Sequence, residues 1–128
     1  MSVWFIIATM IFLHIIDDYV LQAPCLCDLK QKSFWEKNAP QKLYENDYFC
    51  ALLMHGLSWS FMIMLPIAVT LKLNVDINFF LMFIINAVLH AAVDDLKANK
   101  FRINLWQDQL AHLAQIAITV TAYVLEVF

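Results

Sequence analysis

Hydrophobic residues fill four long stretches of the chain, and polar residues separate these stretches from one another. They cover residues 2–23, 48–73, 77–96 and 105–128. Each has at least the roughly 20 residues that a helix needs to cross the hydrocarbon core of a bilayer. Because a bilayer offers no water to backbone N–H and C=O groups, an apolar segment of this length forms a helix. The pattern therefore predicts four transmembrane helices.

The composition agrees with this pattern. Hydrophobic residues make up 62% of the 128 residues and charged residues 15%, whereas water-soluble domains contain about 45–50% apolar and about 25% charged residues. A formal charge of −3 argues against a partner made of nucleic acid. We expect an all-α fold, in which a four-helix transmembrane bundle forms a single integral membrane domain over residues 1–128.

The connection between the first two predicted helices, residues 24–47, mixes lysines with large apolar side chains. This mixture is typical of an interfacial segment that lies along the lipid headgroups, and a solvated loop fits its loose apolar spacing equally well. Residues 97–104 form a second, basic connection, and residues 74–76 form a tight turn.

The basic residues predict how the chain is oriented. The connections 24–47 and 97–104 carry seven of the eight Lys and Arg residues, and Lys72 is the one on the opposite side. Basic loops stay in the cytoplasm according to the positive-inside rule. We therefore expect a multi-pass protein of the inner (cytoplasmic) membrane, with both longer connections in the cytoplasm and both termini outside.

Ionisable residues lie inside the predicted membrane helices, where they are costly. An Asp at the centre of a membrane helix costs at least about 2.5–3.5 kcal/mol, so such residues usually serve a function. All four histidines and five of the eleven acidic residues are in this position: His14, His55, His90, His112, Asp17, Asp18, Asp94, Asp95 and Asp108. In a bundle of alternating helices, the histidines and most of the acidic residues approach the cytoplasmic end.

Three His/Asp pairs have the i,i+4 spacing that places two side chains on one face of a helix. Imidazole and carboxylate are the ligand set of Zn, Mn, Fe or Ni. We therefore predict a site for one or two divalent metal ions, most simply Zn, Mn or Fe, in which two ions would share a carboxylate. The predicted ligands are His14 with Asp18, His90 with Asp94, and Asp108 with His112.

Other interpretations of these residues stay open. His55 is either a further ligand or a proton shuttle, and the cluster as a whole is alternatively a metal-free proton or ion relay or a structural hydrogen-bond network. Asp17 either faces the bundle or approaches the headgroups, and Asp95 falls off the inward face. Asp95 could instead reach the basic connection.

Three blocks of the sequence resemble the signature of a domain-of-unknown-function family of small bacterial and phage integral membrane proteins. They are H-I-I-D-D-Y-V-L-Q at 14–22, H-A-A-V-D-D-L-K at 90–97 and D-Q-L-A-H at 108–112. The family pattern reads H-x-x-x-D-F-x-L-Q, then a middle histidine, H-x-x-x-D-x-x-K and D-Q-x-x-H. The resemblance implies that Asp18 rather than Asp17 belongs to the first block, in which Tyr19 replaces Phe. It adds three residues to the site: Gln22, Lys97 and Gln109.

The His/Asp pattern is also similar to that of membrane-bound metal-dependent hydrolases, an analogy that implies a function. We expect hydrolysis of an ester, phosphoester or amide at the headgroup level of the cytoplasmic leaflet, on a lipid or amphiphilic substrate. His55 and Lys97 are the catalytic candidates, and Lys97 lies where an anionic headgroup would sit. A proton- or ion-coupled carrier and a non-enzymatic membrane regulator are the alternatives, and a homo-oligomer could complete the site.

Overall fold

The computed structural model describes residues 1–22 and 24–126, and within this part the chain forms helices and no strand. A π-helical turn continues the first α-helix, and a 3₁₀ turn precedes the fourth. The elements are α1 (Val3–Ile16), the π-helical turn Asp17–Leu21, α2 (Pro24–Leu29), α3 (Lys32–Asn38), the 3₁₀ turn Lys42–Tyr44, α4 (Asp47–Thr70), α5 (Ile77–Ala98) and α6 (Leu105–Val124). The predicted all-α fold is confirmed.

Polar side chains fix where the long helices begin. Asp76 precedes α5, and its Oδ1 accepts a hydrogen bond from the backbone N–H of Phe79 at 2.9 Å. At α6, Asn104 Oδ1 accepts from the backbone N–H of Gln107, and Gln107 Oε1 accepts from the backbone N–H of Asn104, both at 3.0 Å. These caps satisfy N–H groups that have no partner in the first turn of a helix.

Three helical stretches are long and apolar enough to cross a membrane: Val3–Leu21, Lys42–Thr70 and Ile77–Ala98. Large apolar side chains such as Trp4, Phe61 and Ile85 are exposed on their outer faces, as expected where lipid rather than water surrounds the helices. These features are consistent with the predicted membrane protein. Helix α6 is outside this set, because its first half is rich in Gln, Asp and His.

The observed helix bounds differ from the predicted ones by a few residues. Helix α4 ends at Thr70 instead of residue 73, and α5 continues to Ala98 instead of residue 96. The connection 24–47 holds α2, α3 and the 3₁₀ turn, so it is largely helical. Residue 23 and residues 127–128, at the predicted ends of the first and fourth helices, lie outside the described residues.

Helices α1, α4, α5 and α6 pack side by side, since α4 contacts both α1 and α5, and α6 contacts the same two helices. One half of the interior is an apolar core that includes Ile6, Ile63 and Ile67. The other half is polar, and lies where the C-terminal ends of α1 and α5 meet the N-terminal ends of α4 and α6. Helix α2 packs on α4 at this polar end.

Gly56 allows a close approach between α4 and α5. A Cβ atom at this position would overlap the backbone carbonyl oxygen of Ala87 and would lie 3.4 Å from Cβ of Ala91. The neighbouring His55 is thereby brought to His90 on α5, with 4.9 Å between the two ring centroids. A residue without a side chain is required where two helix backbones come this close.

We expect Gly56→Ala to lower the free energy of unfolding by about 1–3 kcal/mol, because the added methyl group forces two packed helices apart. The measurement is the thermal melting midpoint of the protein in detergent. The control is Ala114→Ser, which also adds one heavy atom but on an exposed face of α6. Equal midpoints for the two variants would show that the helices do not approach as described.

Candidate metal centre

The π-helical turn after α1 turns two consecutive carboxylates towards the bundle interior. An extra residue in a helical turn changes the direction of the side chains in it, and such turns are frequent at functional sites. Asp17 is 1% exposed, and the Asp18 side chain is 11% exposed. The Ser58 hydroxyl donates to Asp17 Oδ1 at 2.6 Å, and Asp17 Oδ2 lies 3.5 Å from His55 Nδ1. Asp17 therefore faces the bundle and lies next to His55.

His90, Asp94 and His112 form a buried group on α5 and α6. Asp94 Oδ1 lies 3.7 Å from His90 Nε2 and 3.5 Å from His112 Nε2. One ligand atom of each residue lies within 4.8 Å of the corresponding atoms of the other two. The group could hold a metal ion.

Asp18, His55 and His90 form a second group of the same kind. Asp18 Oδ1 lies 3.4 Å from His55 Nε2 and 3.9 Å from His90 Nε2. His90 belongs to both groups, so the π-helical turn, α4, α5 and α6 all supply residues to one continuous cluster. We call the five residues of the two groups the His/Asp cluster: Asp18, His55, His90, Asp94 and His112.

The separations within the His/Asp cluster are longer than direct hydrogen bonds, and the shorter ones are close to the spacing of ligands around a bound cation. N–H···O hydrogen bonds span about 2.7–3.2 Å, and the separations above are longer. Ligand atoms of a tetrahedral ion with bonds of about 2.0–2.1 Å are about 3.3–3.4 Å apart. In the described part of the chain, Asp18 Oδ1, His90 Nε2 and His112 Nε2 are buried without a hydrogen-bond partner. A buried polar atom without a partner costs about 1–3 kcal/mol, and a cation held by His90, Asp94 and His112 would satisfy the two imidazole nitrogens.

Two of the six predicted ligands, His14 and Asp108, lie beside the two groups and are held by other partners. The Trp59 indole N–H donates to His14 Nδ1 at 2.8 Å, so the proton of this imidazole is on Nε2, which donates to Gln109 Oε1 at 3.1 Å. Asp108 Oδ2 accepts from Lys97 Nζ at 2.7 Å, and its Oδ1 lies 3.5 Å from His112 Nε2. Both nitrogens of His14 are thus occupied, whereas Asp108 keeps one oxygen facing the cluster.

Trp59 closes the His/Asp cluster towards the apolar half of the bundle. Its side chain is fully buried, and its ring stacks on His90 with 4.4 Å between centroids and 22° between planes. It also packs with Ile63 and Ile67 in the apolar core. Because the same ring binds His14 and covers His90, it fixes the orientation of two histidines at once.

A buried chain of hydrogen bonds orients His112. Gln115 Oε1 accepts from His112 Nδ1 at 3.2 Å, and Gln115 Nε2 donates to the backbone carbonyl of Asn86 at 3.3 Å. The Asn86 amide in turn donates to Thr119 Oγ1 at 2.9 Å. This arrangement places the proton of His112 on Nδ1 and leaves the Nε2 lone pair facing Asp94, as a metal ligand requires.

We expect Gln115→Leu to weaken the binding of a divalent ion by about 10- to 100-fold, the usual effect of losing the partner that orients a histidine ligand. The measurement is a competition titration of the purified protein against a coloured chelator. Thr121→Val is the control, because the Thr121 hydroxyl is exposed and donates to a carbonyl of its own helix, that of Ala117. Equal affinities for both variants would contradict the role assigned to Gln115.

Lys30 is a buried residue of the site that sequence patterns do not predict. It belongs to the basic connection expected at the headgroups, yet it is 8% exposed, and its ammonium group donates to Asp94 Oδ2 at 2.5 Å. Asn99, which ends α5, donates to the Lys30 carbonyl at 3.0 Å and accepts from the backbone N–H of Lys32 at 2.7 Å. These contacts hold the chain after α2 over the site and direct the Lys30 side chain inward.

A polar cavity of about 80 Å³ opens beside the His/Asp cluster. Its volume accommodates about two or three water molecules. Lys30, Lys97 and Gln22 line it together with the carboxylates of the site, and the exposed residues Tyr19 and Leu105 stand at its rim. All three residues added by the family resemblance (Gln22, Lys97 and Gln109) line this cavity.

The other basic residues near this end are on the surface. Lys100 Nζ pairs with Asp95 at 2.7 Å, and more than half of the Lys100 side chain is exposed. Asp95 is therefore directed to the basic connection and away from the cluster.

Comparison of the chain with protein-family models, with curated proteins and with solved structures gives no match. The function is therefore argued from the chemistry of the site.

Proposed function

We propose that this protein is a membrane-embedded, metal-dependent hydrolase. The observation that carries the proposal is the His/Asp cluster, whose facing imidazole and carboxylate atoms lie 3.4–3.9 Å apart. Among these atoms, Asp18 Oδ1, His90 Nε2 and His112 Nε2 are buried without a hydrogen-bond partner in the described part of the chain. The lone pairs of neutral imidazoles and the carboxylate oxygens that face them repel one another, and a cation between them removes this repulsion. A polar cavity beside these atoms gives a small reacting group access to them.

In this proposal, α6 is the fourth membrane span of a four-helix bundle. Its polar residues Asp108, His112 and Gln115 are buried against the other helices, and Leu110 and Ile118 are exposed on its outer face. The outward surface of α6 is thus apolar although its mean hydropathy is lower. The His/Asp cluster lies at the end that carries the basic connections, so the positive-inside rule puts it at the cytoplasmic leaflet of the inner membrane, with both termini outside.

The charges of the site favour the binding of a divalent ion. Asp17, Asp18, Asp94 and Asp108 bring four negative charges against the two positive charges of Lys30 and Lys97. With neutral imidazoles, two negative charges remain, and one divalent ion balances them in a medium where net charge is costly. We place the first ion at His90, Asp94 and His112, with Zn, Mn or Fe as the candidates for this ligand set.

A divalent ion in this position supplies Lewis-acid activation of water and of the bond to be hydrolysed. His55 is the proton carrier in this proposal, because it lines the cavity and its Nδ1 lies 3.5 Å from the carboxylate of Asp17. The water oxygen bonds to the acyl carbon or phosphorus, the bond to the leaving oxygen or nitrogen breaks, and the proton from water passes through His55 to the leaving group. Lys97 stands at the cavity as a cationic contact for the substrate.

The test is turnover of ester, phosphoester and amide amphiphiles by the purified protein in detergent micelles. We expect turnover that stops when the metal is removed by a chelator and returns when Zn, Mn or Fe is restored. Asp94→Asn should abolish it, and the control Asp95→Asn, which changes the neighbouring carboxylate outside the cluster, should not. Turnover that persists in Asp94→Asn without metal would refute the proposal.

We also propose that the blocks at 14–22, 90–97 and 108–112 mark membership of the domain-of-unknown-function family named above. Residues of all three blocks meet in the site: His14 accepts from Trp59 and donates to Gln109, and Lys97 binds Asp108. Membership alone confers no activity.

A proton- or ion-coupled carrier is the second candidate function. The hydrogen-bonded chain through Gln115, Asn86 and Thr119 favours it, because this chain extends the polar cluster into the middle of the bundle. Beyond Thr119, the described interior consists of apolar residues such as Ile67 and Val120, and a conduit needs polar groups at both leaflets. Ion or proton flux into proteoliposomes, lost in Thr119→Val, would favour the carrier over the hydrolase.

A further inference from the structure

The polar cavity is flanked by two lysine ammonium groups that come from different parts of the chain. Lys30 follows α2, and Lys97 lies in the last turn of α5. Each ends on a carboxylate of the site, Lys30 on Asp94 at 2.5 Å and Lys97 on Asp108 at 2.7 Å. The Lys30 side chain is 9% exposed, so its positive charge is buried. The Lys97 side chain is 41% exposed, so one buried and one partly exposed cation flank the cavity. A neutral ester or amide does not require two cations at its binding site.

Metal binding would change what these lysines can do. Without a metal, the ammonium groups balance part of the carboxylate charge. Once a divalent ion neutralises Asp94 and its neighbours, the lysine N–H donors become available to an anion in the cavity, and a second ion would leave an excess of two positive charges. Lysine binds phosphate as a point charge with three donors.

We propose, on the basis of the proposed metal-dependent hydrolase, that the cavity receives the phosphate group of a phosphoester and that Lys30 and Lys97 bind its oxygens. The amide groups of Gln22 and Gln109 also line the cavity, and Gln109 Nε2 donates to Asp108 Oδ2 at 3.1 Å. A volume of about 80 Å³ accommodates a phosphate group and excludes the remainder of a large substrate. That remainder would leave the cavity past Tyr19 and Leu105, which are both more than half exposed.

The test follows the ³¹P resonance of inorganic phosphate added to the protein in detergent, loaded with Mn²⁺ and freed of excess ion. Bound phosphate beside the paramagnetic ion broadens this resonance. We expect broadening that saturates with protein, and a phosphate affinity weakened by about tenfold or more in Lys97→Met and in Lys30→Met, because each loses a charge-assisted hydrogen bond. Both variants should keep Mn²⁺, since their carboxylate and imidazole ligands are intact.

The control is Lys100→Met, which removes an exposed lysine of the same connection and should leave the phosphate affinity unchanged. If Lys30→Met does not fold, the phosphate affinity of Lys97→Met alone tests the proposal. Phosphate affinity that is unchanged in the variants, or no phosphate binding to the Mn²⁺-loaded protein, would overturn the phosphate proposal while the metal centre stands. Failure of the wild-type protein to bind any ion would refute the proposed hydrolase and the phosphate site together.

Displacement of the bound phosphate identifies the source of the phosphoester. A long-chain lipid phosphate in micelles should displace it at a lower concentration than a water-soluble phosphomonoester if the substrate is a membrane lipid. Equal potency would indicate a soluble phosphoester that enters from the cytoplasm. If neither compound displaces inorganic phosphate, the cavity does not bind phosphoesters and the proposal is wrong.

Discussion

Replacing His90 with Ala should lower the affinity for a divalent ion more than the loss of a supporting hydrogen-bond partner does. Loss of such a partner lowers the affinity by about 10- to 100-fold. His90 is the one residue common to both candidate ligand groups, and its two ring nitrogens lack hydrogen-bond partners within the described structure. The decrease in affinity caused by His14→Ala should stay within or below that range, because Trp59 and Gln109 already occupy both nitrogens of His14. The measurement is the dissociation constant of Zn²⁺ or Mn²⁺ for each variant.

The comparison is matched, because both variants remove a buried imidazole from the same end of the bundle. A circular-dichroism spectrum equal to that of the wild type shows that the helices are retained. If His14→Ala abolished binding and His90→Ala did not, the ion would lie nearer to α1 than the His/Asp cluster does.

Lys30→Met should destabilise the metal-free protein by about 3–5 kcal/mol, because it leaves the buried carboxylate of Asp94 without its cationic partner. Adding Zn²⁺ or Mn²⁺ should recover much of this loss, since the ion neutralises the same carboxylate and stabilises the folded state by mass action. The measurement is the thermal melting midpoint in detergent, first with a chelator and then with the ion.

Lys100→Met is the control for this prediction, because the pair between Lys100 and Asp95 is on the surface. Exposed pairs of this kind contribute about 0–1 kcal/mol. If Lys30→Met were no less stable than Lys100→Met in the presence of chelator, the Lys30 ammonium group would not be buried against Asp94.

The helices could be predicted because lipid imposes a simple rule on the sequence. An apolar stretch of about 20 residues has one stable structure in a bilayer, and α4 and α5 lie within a few residues of the predicted positions. The i,i+4 spacing also predicts which residues of one helix act together, so His90 and Asp94 face the interior side by side.

Contacts between helices could not be predicted in the same way. His14 has the same spacing to Asp18 as His90 has to Asp94, but Trp59 from α4 occupies its Nδ1. The inward turn of Asp17 depends on a π-helical turn, which periodicity based on an α-helix does not include. Asn99 directs Lys30 inward, and the two residues are 69 positions apart in the sequence. No helical periodicity connects residues that are so far apart.

The most direct measurement is elemental mass spectrometry of the protein purified in detergent, beside the double variant His90→Ala/Asp94→Ala. We expect one or two ions of Zn, Mn or Fe per wild-type chain and none in the double variant, with helical content unchanged. No ion in the wild-type protein, even after reconstitution with each of these metals, would contradict the metal centre, and the His/Asp cluster would then be a proton relay or a structural network.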